Sequence, residues 1–272
     1  PAVGGGCRLL APGSPVMARC WQSNEGAMTT MARRVRPELL DDLDPQDPRA
    51  QRSRSDLRRI HRAMGSLTIL RNLVARLRLA THPKSIVELG AGDGTLLLRL
   101  ARTLKPKWEG VELTLLDRHP AIDLNTLDGF HELEWRVNVV CEDALVWAQA
   151  TGTERYDLCI ATLFLHHFGD PDLIVLLRGV AARCQAFIAS EPRRDRLADL
   201  GSRLVGILGS NAVTQEDAIK SVAAGFAGEE ISAAWPGDEE AWRVEEYRAL
   251  PFSHSFLAVR VSAHAVAGAA FA

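Results

Sequence analysis

Val87-Glu88-Leu89-Gly90-Ala91-Gly92-Asp93-Gly94-Thr95 decides the fold. A short apolar run ends in alternate glycines, and a helical stretch follows near 94–104. Glycine is needed where a strand turns sharply into a helix and a ligand must approach the backbone without meeting a Cβ. The helix behind such a turn offers unpaired N–H groups. The spacing is G-x-G-x-G, whereas the dinucleotide fingerprint is G-x-G-x-x-G, which weakens a nicotinamide-cofactor reading. Glu88 stands two residues before the first glycine. A carboxylate there would repel a pyrophosphate and suits a cationic ligand.

Outward from this loop, short apolar runs alternate with helical stretches. Strands are expected at 85–90, 112–117, 136–141, 157–163 and 185–190, with helices near 94–104, 121–131 and 171–183. Such alternation builds a parallel sheet covered on both faces. Two further helices are expected near 194–208 and 214–225, the second with Thr214 as N-cap and Asp217 in its first turn. Runs 242–249 and 255–262, separated by Leu250-Pro251-Phe252-Ser253-His254, read as a closing antiparallel pair. Before the loop, Leu57, Ile60, Met64, Leu67, Leu70, Val74 and Leu77 form one helical apolar stripe. Gly65-Ser66 breaks it, which predicts two helices or one kinked helix.

Two acidic positions follow in order. Asp117 ends the second strand, where a carboxylate can accept both hydroxyls of a ribose. Glu142-Asp143-Ala144 follows the third, where a carboxylate can accept an adenine amino group, and Glu142 competes with Asp143 for that role. A glycine loop with no ligand is the plainer alternative, and the ordered pair of acidic residues counts against it.

With these residues the chain resembles the class I S-adenosylmethionine-dependent methyltransferases. The matching segments are VELGAGDGT (87–95), LTLLD (113–117), CEDAL (141–145) and ATLFLHHFGD (161–170), the last resembling a small-molecule branch with quinone- and phenol-type acceptors. The resemblance covers about residues 85–192. It implies a Rossmann-like seven-stranded, mostly parallel sheet with helices on both faces, an antiparallel last strand and an N-terminal helical lid. It implies S-adenosylmethionine as cofactor, with Glu88 and Gly90 facing its amino acid part, Gly92 and Gly94 forming the turn beneath it, Asp117 on the ribose and Asp143 on the adenine. Ala91, Arg118, Ala144 and Thr162 complete the expected cofactor set. The implied reaction is methyl transfer to an oxygen or carbon of a small phenolic, quinone-like or polyketide-type acceptor.

Ligands of an open parallel sheet bind outside the carboxyl ends of its strands. His166 and His167 follow strand four, and either is a candidate general base, since imidazole titrates near neutral pH; wall or capping roles compete. Arg193 after strand five and His254 between the last two strands are candidate acceptor contacts, against a solvated or surface-paired role for the arginine. Trp235, Trp242 and Phe252 read as core, and Asn211 and Phe226 as weak pocket candidates. No Asn/Asp-Pro-Pro-Tyr/Phe tetrad follows strand four, which lowers nucleic-acid base methylation. No set of oxygen ligands for a divalent metal is evident, so no metal is expected.

The expected domains are an irregular, disordered lead-in at 1–48, a helical lid at 49–83, a methyltransferase domain at 84–264 with a helical insertion at 194–227, and a tail at 265–272. Met28 or Met31 is the expected start of translation. The lid region carries Arg52, Arg54, Arg58, Arg59, Arg62, Arg71, Arg76 and Arg78, so peripheral contact with an anionic membrane competes with simple packing on the sheet.

The 272 residues suffice for a sizeable core, and a net charge of −2 gives no general attraction to nucleic acid. No run approaches the roughly 20 apolar residues of a membrane span. Five cysteines without a CxxC argue against a disulfide framework or a zinc site of usual spacing, and a cytoplasmic setting is expected. Cys141, Cys159 and Cys184 read as buried small hydrophobes. The rival readings are an RNA methyltransferase, a nicotinamide-binding domain and a catalytically silent scaffold that binds a partner through its helical face.

Overall fold

The computed structural model describes residues 31–261 apart from positions 45, 80, 153, 238 and 239. The expectations for residues 1–30 and for the 265–272 tail, with Met28, Cys7 and Cys20, lie outside the described residues.

Seven strands form one sheet: β1 (Ser85–Leu89), β2 (Glu112–Asp117), β3 (Arg136–Cys141), β4 (Tyr156–Thr162), β5 (Cys184–Pro192), β6 (Trp242–Ala249) and β7 (Ser253–Arg260). Their order is β3-β2-β1-β4-β5-β7-β6. β1 to β5 run parallel, and β7 enters antiparallel between β5 and β6. Side chains alternate across the pleat. Ile86, Leu158, Ile160, Ala186 and Ile188 pack on one face; Val87, Leu89, Cys159, Ala161, Phe187 and Ala189 pack on the other. Both faces are therefore buried, which explains the nearly continuous apolar strands. β1 lies between β2 and β4, so the chain leaves it in opposite directions on its two sides. That is the switch point at which open sheets of this kind leave a crevice.

The helices are α1 (Leu39–Asp42), α2 (Pro48–Ala63), α3 (Ser66–Leu77), α4 (Thr95–Thr103), α5 (Leu124–His131), α6 (Ala144–Gln149), α7 (Asp170–Arg183), α8 (Arg196–Arg203), α9 (Ala212–Ala224) and α10 (Glu230–Ala234). α2 and α3 part at Gly65, whose φ of 68° is left-handed, as the Gly65-Ser66 break predicts. The apolar stripe then divides its work. Ile69, Leu70, Leu73 and Leu77 of α3 enter the core, whereas α2 leaves the sheet and borders a cavity.

Four local expectations change. Residues 31–38 are irregular, as expected, but the segment 31–44 is tied to the rest of the domain. Leu39 and Leu40 N–H donate to Asp217 at 2.7 and 3.0 Å, and Arg33 donates to Phe168 O and Ala224 O, both at 2.9 Å. Thr214 is not the N-cap of α9. Asn211 is, accepting from Thr214 N at 2.8 Å, so Asp217 lies beyond the first turn and serves α1 instead. Cys141 is exposed on the edge strand β3, whereas Cys159 and Cys184 are buried. Phe252 is half-buried and borders the cavity, while Trp235 and Trp242 are core.

Candidate active site

The glycine loop is built by backbone geometry. Gly90, Gly92 and Gly94 all have positive φ, at 70°, 56° and 68°. Gly90 N and Ala91 N donate to Leu116 O at 2.9 and 3.1 Å, tying the loop to β2. Asp117 continues that tie: Oδ2 accepts from Gly92 N at 2.8 Å and Oδ1 from His119 N at 2.7 Å. A Cβ at Gly92 would meet nothing within 4 Å, so its outer side is open space. A Cβ at Gly90 would run into the Phe164 ring. Gly90→Ala is therefore expected to abolish cofactor binding and to lower the Tm by several degrees, since it adds a clash to a left-handed backbone. A thermal melt and a binding titration read both effects; unchanged values would mean that Phe164 swings away at no cost.

A cavity of about 850 Å³ opens over this loop. Glu88, Gly90, Ala91, Gly92, Asp117, Arg118, Asp143, Ala144 and Thr162 all line it. Gly94 does not; it forms the turn beneath. Glu88 Oε2 and Thr162 Oγ1 are buried without a hydrogen-bond partner. Buried polar atoms are nearly always satisfied, and both residues border the cavity, so a polar ligand reaching them would complete their bonding. Burial pushes the Glu88 carboxyl well above the usual carboxylate range, and the charges of Asp93 and Asp117 add to the shift. Asp143 Oδ1 caps α6 through Leu145 N at 2.7 Å, and its Oδ2 lies 3.8 Å from Arg118 Nε. Glu142 also borders the cavity, beside Asp143.

The cavity continues past the end of β4. Leu163 adopts φ 52°, uncommon for a residue with a side chain, and turns the chain so that Phe164, His166 and His167 border the cavity. Glu191, at the end of β5 and fully buried, organises this turn. It accepts from the N–H groups of Phe164, Leu165 and His166 at 3.1, 3.0 and 3.3 Å, and from His166 Nδ1 at 2.8 Å. His167 Nδ1 donates to Phe164 O at 3.0 Å. Both imidazoles thus turn Nε2 toward Glu38, each 3.4 Å from one of its oxygens.

Burial raises the Glu38 carboxyl, but the bonds and charges of His166 and His167 outweigh this and hold it well below the carboxylate range. For His167, burial pushes down and is outweighed by the bond and charge of Glu38 and the charge of Asp41, which lift it to about 9. His167 thus holds its Nε2 proton toward Glu38 and is not a free base.

The structure does not bring Arg193 or His254 to the cavity. Arg193 is buried against Asp195 and Pro251 O at 2.5 and 2.8 Å. β7 starts at Ser253, so His254 belongs to a strand and pairs across from Glu191 in the sheet. Its Nε2 bonds Glu246 at 2.6 Å. Asn211 caps α9, and Phe226 is buried beneath Arg33, 4.5 Å from ring centroid to guanidinium. Glu38 and Glu191 escaped sequence reasoning. Glu191 sits in a motif-like EPRR run that drew attention only to its arginines. Glu38 lies in a polar stretch without periodicity, and no local signal marks it.

Of the segment expected as a lid, 49–83, α2 borders the cavity together with residues 35–41, whereas Ile69, Leu70, Leu73 and Leu77 of α3 lie in the core. Arg58 bridges α2 to the glycine loop through Asp93 at 2.9 Å. Arg49, Arg52, Arg59 and Arg76 also pair with carboxylates, which shortens the basic face read from the sequence. Among the described residues no helix is long and apolar enough to cross a membrane.

No protein-family model matches the chain, and no curated protein sequence matches it. Solved structures do. A plantazolicin methyltransferase in complex with S-adenosylhomocysteine (SAH) aligns over 79% of this chain and 92% of its own, with TM-score 0.57 at 14% identity. An O-methyltransferase family protein from Burkholderia thailandensis aligns over 80% and 61%, with TM-score 0.52 at 16% identity. The chain has the Rossmann-like methyltransferase fold. At such identities the likeness speaks for the fold alone, and the chemistry rests on the site.

Proposed function

We propose that the protein is an S-adenosylmethionine-dependent methyltransferase acting on an oxygen or carbon of a small organic acceptor. The observation that carries this is the shared cavity. It joins the glycine loop, Glu88 with its unpartnered Oε2, and Asp117 to a second wall made by Phe164, His166, His167 and Phe252. When bound, S-adenosylmethionine supplies a strongly electrophilic methyl group. Glu88 would hold its ammonium, and Asp117 its ribose hydroxyls, with the lone pairs left free by the loop contacts. The SAH in the plantazolicin methyltransferase of the same fold supports that occupant. Leu57, Ile60, Met64, Phe164 and Phe252 provide apolar lining that would exclude water, and the Arg58–Asp93 pair steadies the lid above. Phenolic, quinone-like or polyketide-type acceptors suit a lining of this kind, in a soluble, cytoplasmic enzyme.

The test is calorimetry with SAH and, separately, NADH, followed by transfer of a labelled methyl group to phenolic and quinone-like acceptors. Micromolar SAH binding, no NADH binding and acceptor labelling are expected. SAH binding without labelling across varied acceptors would favour a silent scaffold, and no SAH binding by folded protein would sink the proposal.

Glu88 also sets an expected pH dependence. Burial makes Glu88 hold its proton to higher pH than an ordinary carboxylate, and it must lose that proton to meet an ammonium. Below the pH at which free Glu88 ionises, binding is therefore expected to release a proton, and affinity should rise with pH until that point. Calorimetry in buffers of different ionisation enthalpy, repeated down to mildly acidic pH, counts the proton; a count of zero throughout would refute the assignment. Glu88→Gln is expected to weaken SAH binding about 10- to 100-fold, from about 1.5–3 kcal/mol for a hydrogen bond to a charged group. The same change should stabilise the free protein at alkaline pH. A carboxyl raised on folding contributes fully below its unfolded pKa of about 4.3, and that contribution is lost as pH rises through the folded value. Glutamine has no proton to lose.

A further inference from the structure

We propose that Glu38, His166 and His167 form a binding site for a divalent first-row transition-metal ion on the wall of the cavity. Glu38 Oε1, Glu38 Oε2 and the two Nε2 atoms converge from separate parts of the chain, and one ligand atom from each residue lies within 4.8 Å of the others. The spacing is the first argument. Charge-assisted N–H···O bonds settle at about 2.7–2.9 Å. Both Nε2–carboxylate distances here are 3.4 Å. Metal–ligand lengths of about 2.0–2.1 Å in a tetrahedron put neighbouring ligand atoms about 3.3–3.4 Å apart. Each Nε2 faces a different oxygen of Glu38, and one ligand atom from each residue lies within 4.8 Å of the others, so a slight closure of the Glu38 side chain onto an ion would complete the set.

Tautomers are the second argument. A metal-binding imidazole needs its free nitrogen unprotonated, with the other N–H donated to a carboxylate or carbonyl. His166 Nδ1 is on the Glu191 carboxylate and His167 Nδ1 on the Phe164 carbonyl, so Nε2 is the nitrogen each ring leaves for an ion, which at His167 would displace the proton held toward Glu38. The third argument is that His166 Nε2 is buried without a hydrogen-bond partner, in a residue 3% exposed. An Asp41 oxygen 3.9 Å from His167 Nε2 offers a further oxygen nearby. Two imidazoles and a carboxylate suit Zn²⁺, Fe²⁺ or Co²⁺ better than Mg²⁺ or Ca²⁺. All three ligands border the cavity, so any open coordination position faces a bound molecule. On the methyltransferase reading, that molecule is the acceptor, held through an oxygen.

The untagged chain, stripped with a chelator, is titrated with Zn²⁺ by calorimetry and with Co²⁺ by visible absorption. One Zn²⁺ per chain at micromolar Kd or tighter is expected, with Co²⁺ d–d bands of a low-symmetry nitrogen–oxygen site. Glu38→Gln and His167→Ala should each weaken Zn²⁺ binding at least 100-fold and remove the bands. SAH titration runs in parallel. Zn²⁺ binding without SAH binding would leave the metal site standing while the methyltransferase reading fell; SAH binding with no Zn²⁺ binding would overturn the metal site alone. Zn²⁺ binding that both variants retain would also overturn it, because the ion would then sit elsewhere.

Discussion

Asp117→Ala is expected to weaken SAH binding by at least about 100-fold while leaving a folded protein. Two contributions combine. Hydrogen bonds from ribose hydroxyls to a charged carboxylate are worth about 1.5–3 kcal/mol each, and each 1.4 kcal/mol is tenfold in affinity. The same carboxylate also holds the glycine loop through Gly92 N and the next turn through His119 N. Removing it frees both N–H groups at the cavity edge, where water can reach them, so the structural cost is small beside the binding loss. Asp117→Asn separates the two roles. Its amide oxygen can still accept from one N–H group, but it carries no charge and turns an NH₂ toward the other donor. An intermediate loss of about tenfold is expected. Calorimetric titration of the three proteins measures this order, and Asp117→Ala within threefold of the wild type would sink the ribose assignment.

The glycine-loop half of the cavity is legible in the sequence because its signals are local. The positive φ that each loop glycine requires is a property of the residue, and Asp117 is placed by the length of one strand. The same holds for the sheet, where apolar runs buried on both faces leave little choice of strand position. The acceptor half depends on contacts that no short segment announces. Glu38 becomes a wall residue only because Asp217, far along the chain, holds the N–H groups of Leu39 and Leu40. His254 was misplaced by two residues of strand: with β7 starting at Ser253 and not at 255, its side chain belongs to the sheet and to Glu246. Arg193 reads from sequence as an acceptor contact or a surface-paired cation, and the pairing is the nearer of the two, with Asp195 two residues on as its partner. The Glu38–His166–His167 cluster is illegible in the sequence for a related reason. A search for neighbouring oxygen ligands cannot find two histidines whose third partner lies in a stretch with no periodic pattern.

Glu191 carries the other large expected effect, and it links stability to the chemistry of the cavity wall. Its carboxylate satisfies three backbone N–H groups and His166 Nδ1, with no solvent access. Glu191→Ala strands those donors, at about 1–3 kcal/mol for each that finds no substitute. A loss of roughly 4 kcal/mol or more is expected, which for a chain of this size lowers the Tm by about 10 °C or more. Glu191→Gln keeps the shape and one acceptor oxygen for Phe164 and Leu165, so its Tm should fall by less. Its amide instead reverses the bond to His166. The NH₂ donates, Nδ1 must accept, and the ring proton moves to Nε2. That swap withdraws the lone pair that the Glu38 cluster needs. Long-range ¹H–¹⁵N spectra of chelator-treated protein should show His166 changing from the Nδ1–H to the Nε2–H tautomer. Zn²⁺ affinity should drop about 10- to 100-fold in the same variant, as expected when the partner of a ligating histidine is altered. SAH binding should hold, because Glu191 touches none of the cofactor wall. An unchanged tautomer with unchanged Zn²⁺ affinity would mean that Glu191 only holds the turn and does not set the imidazole.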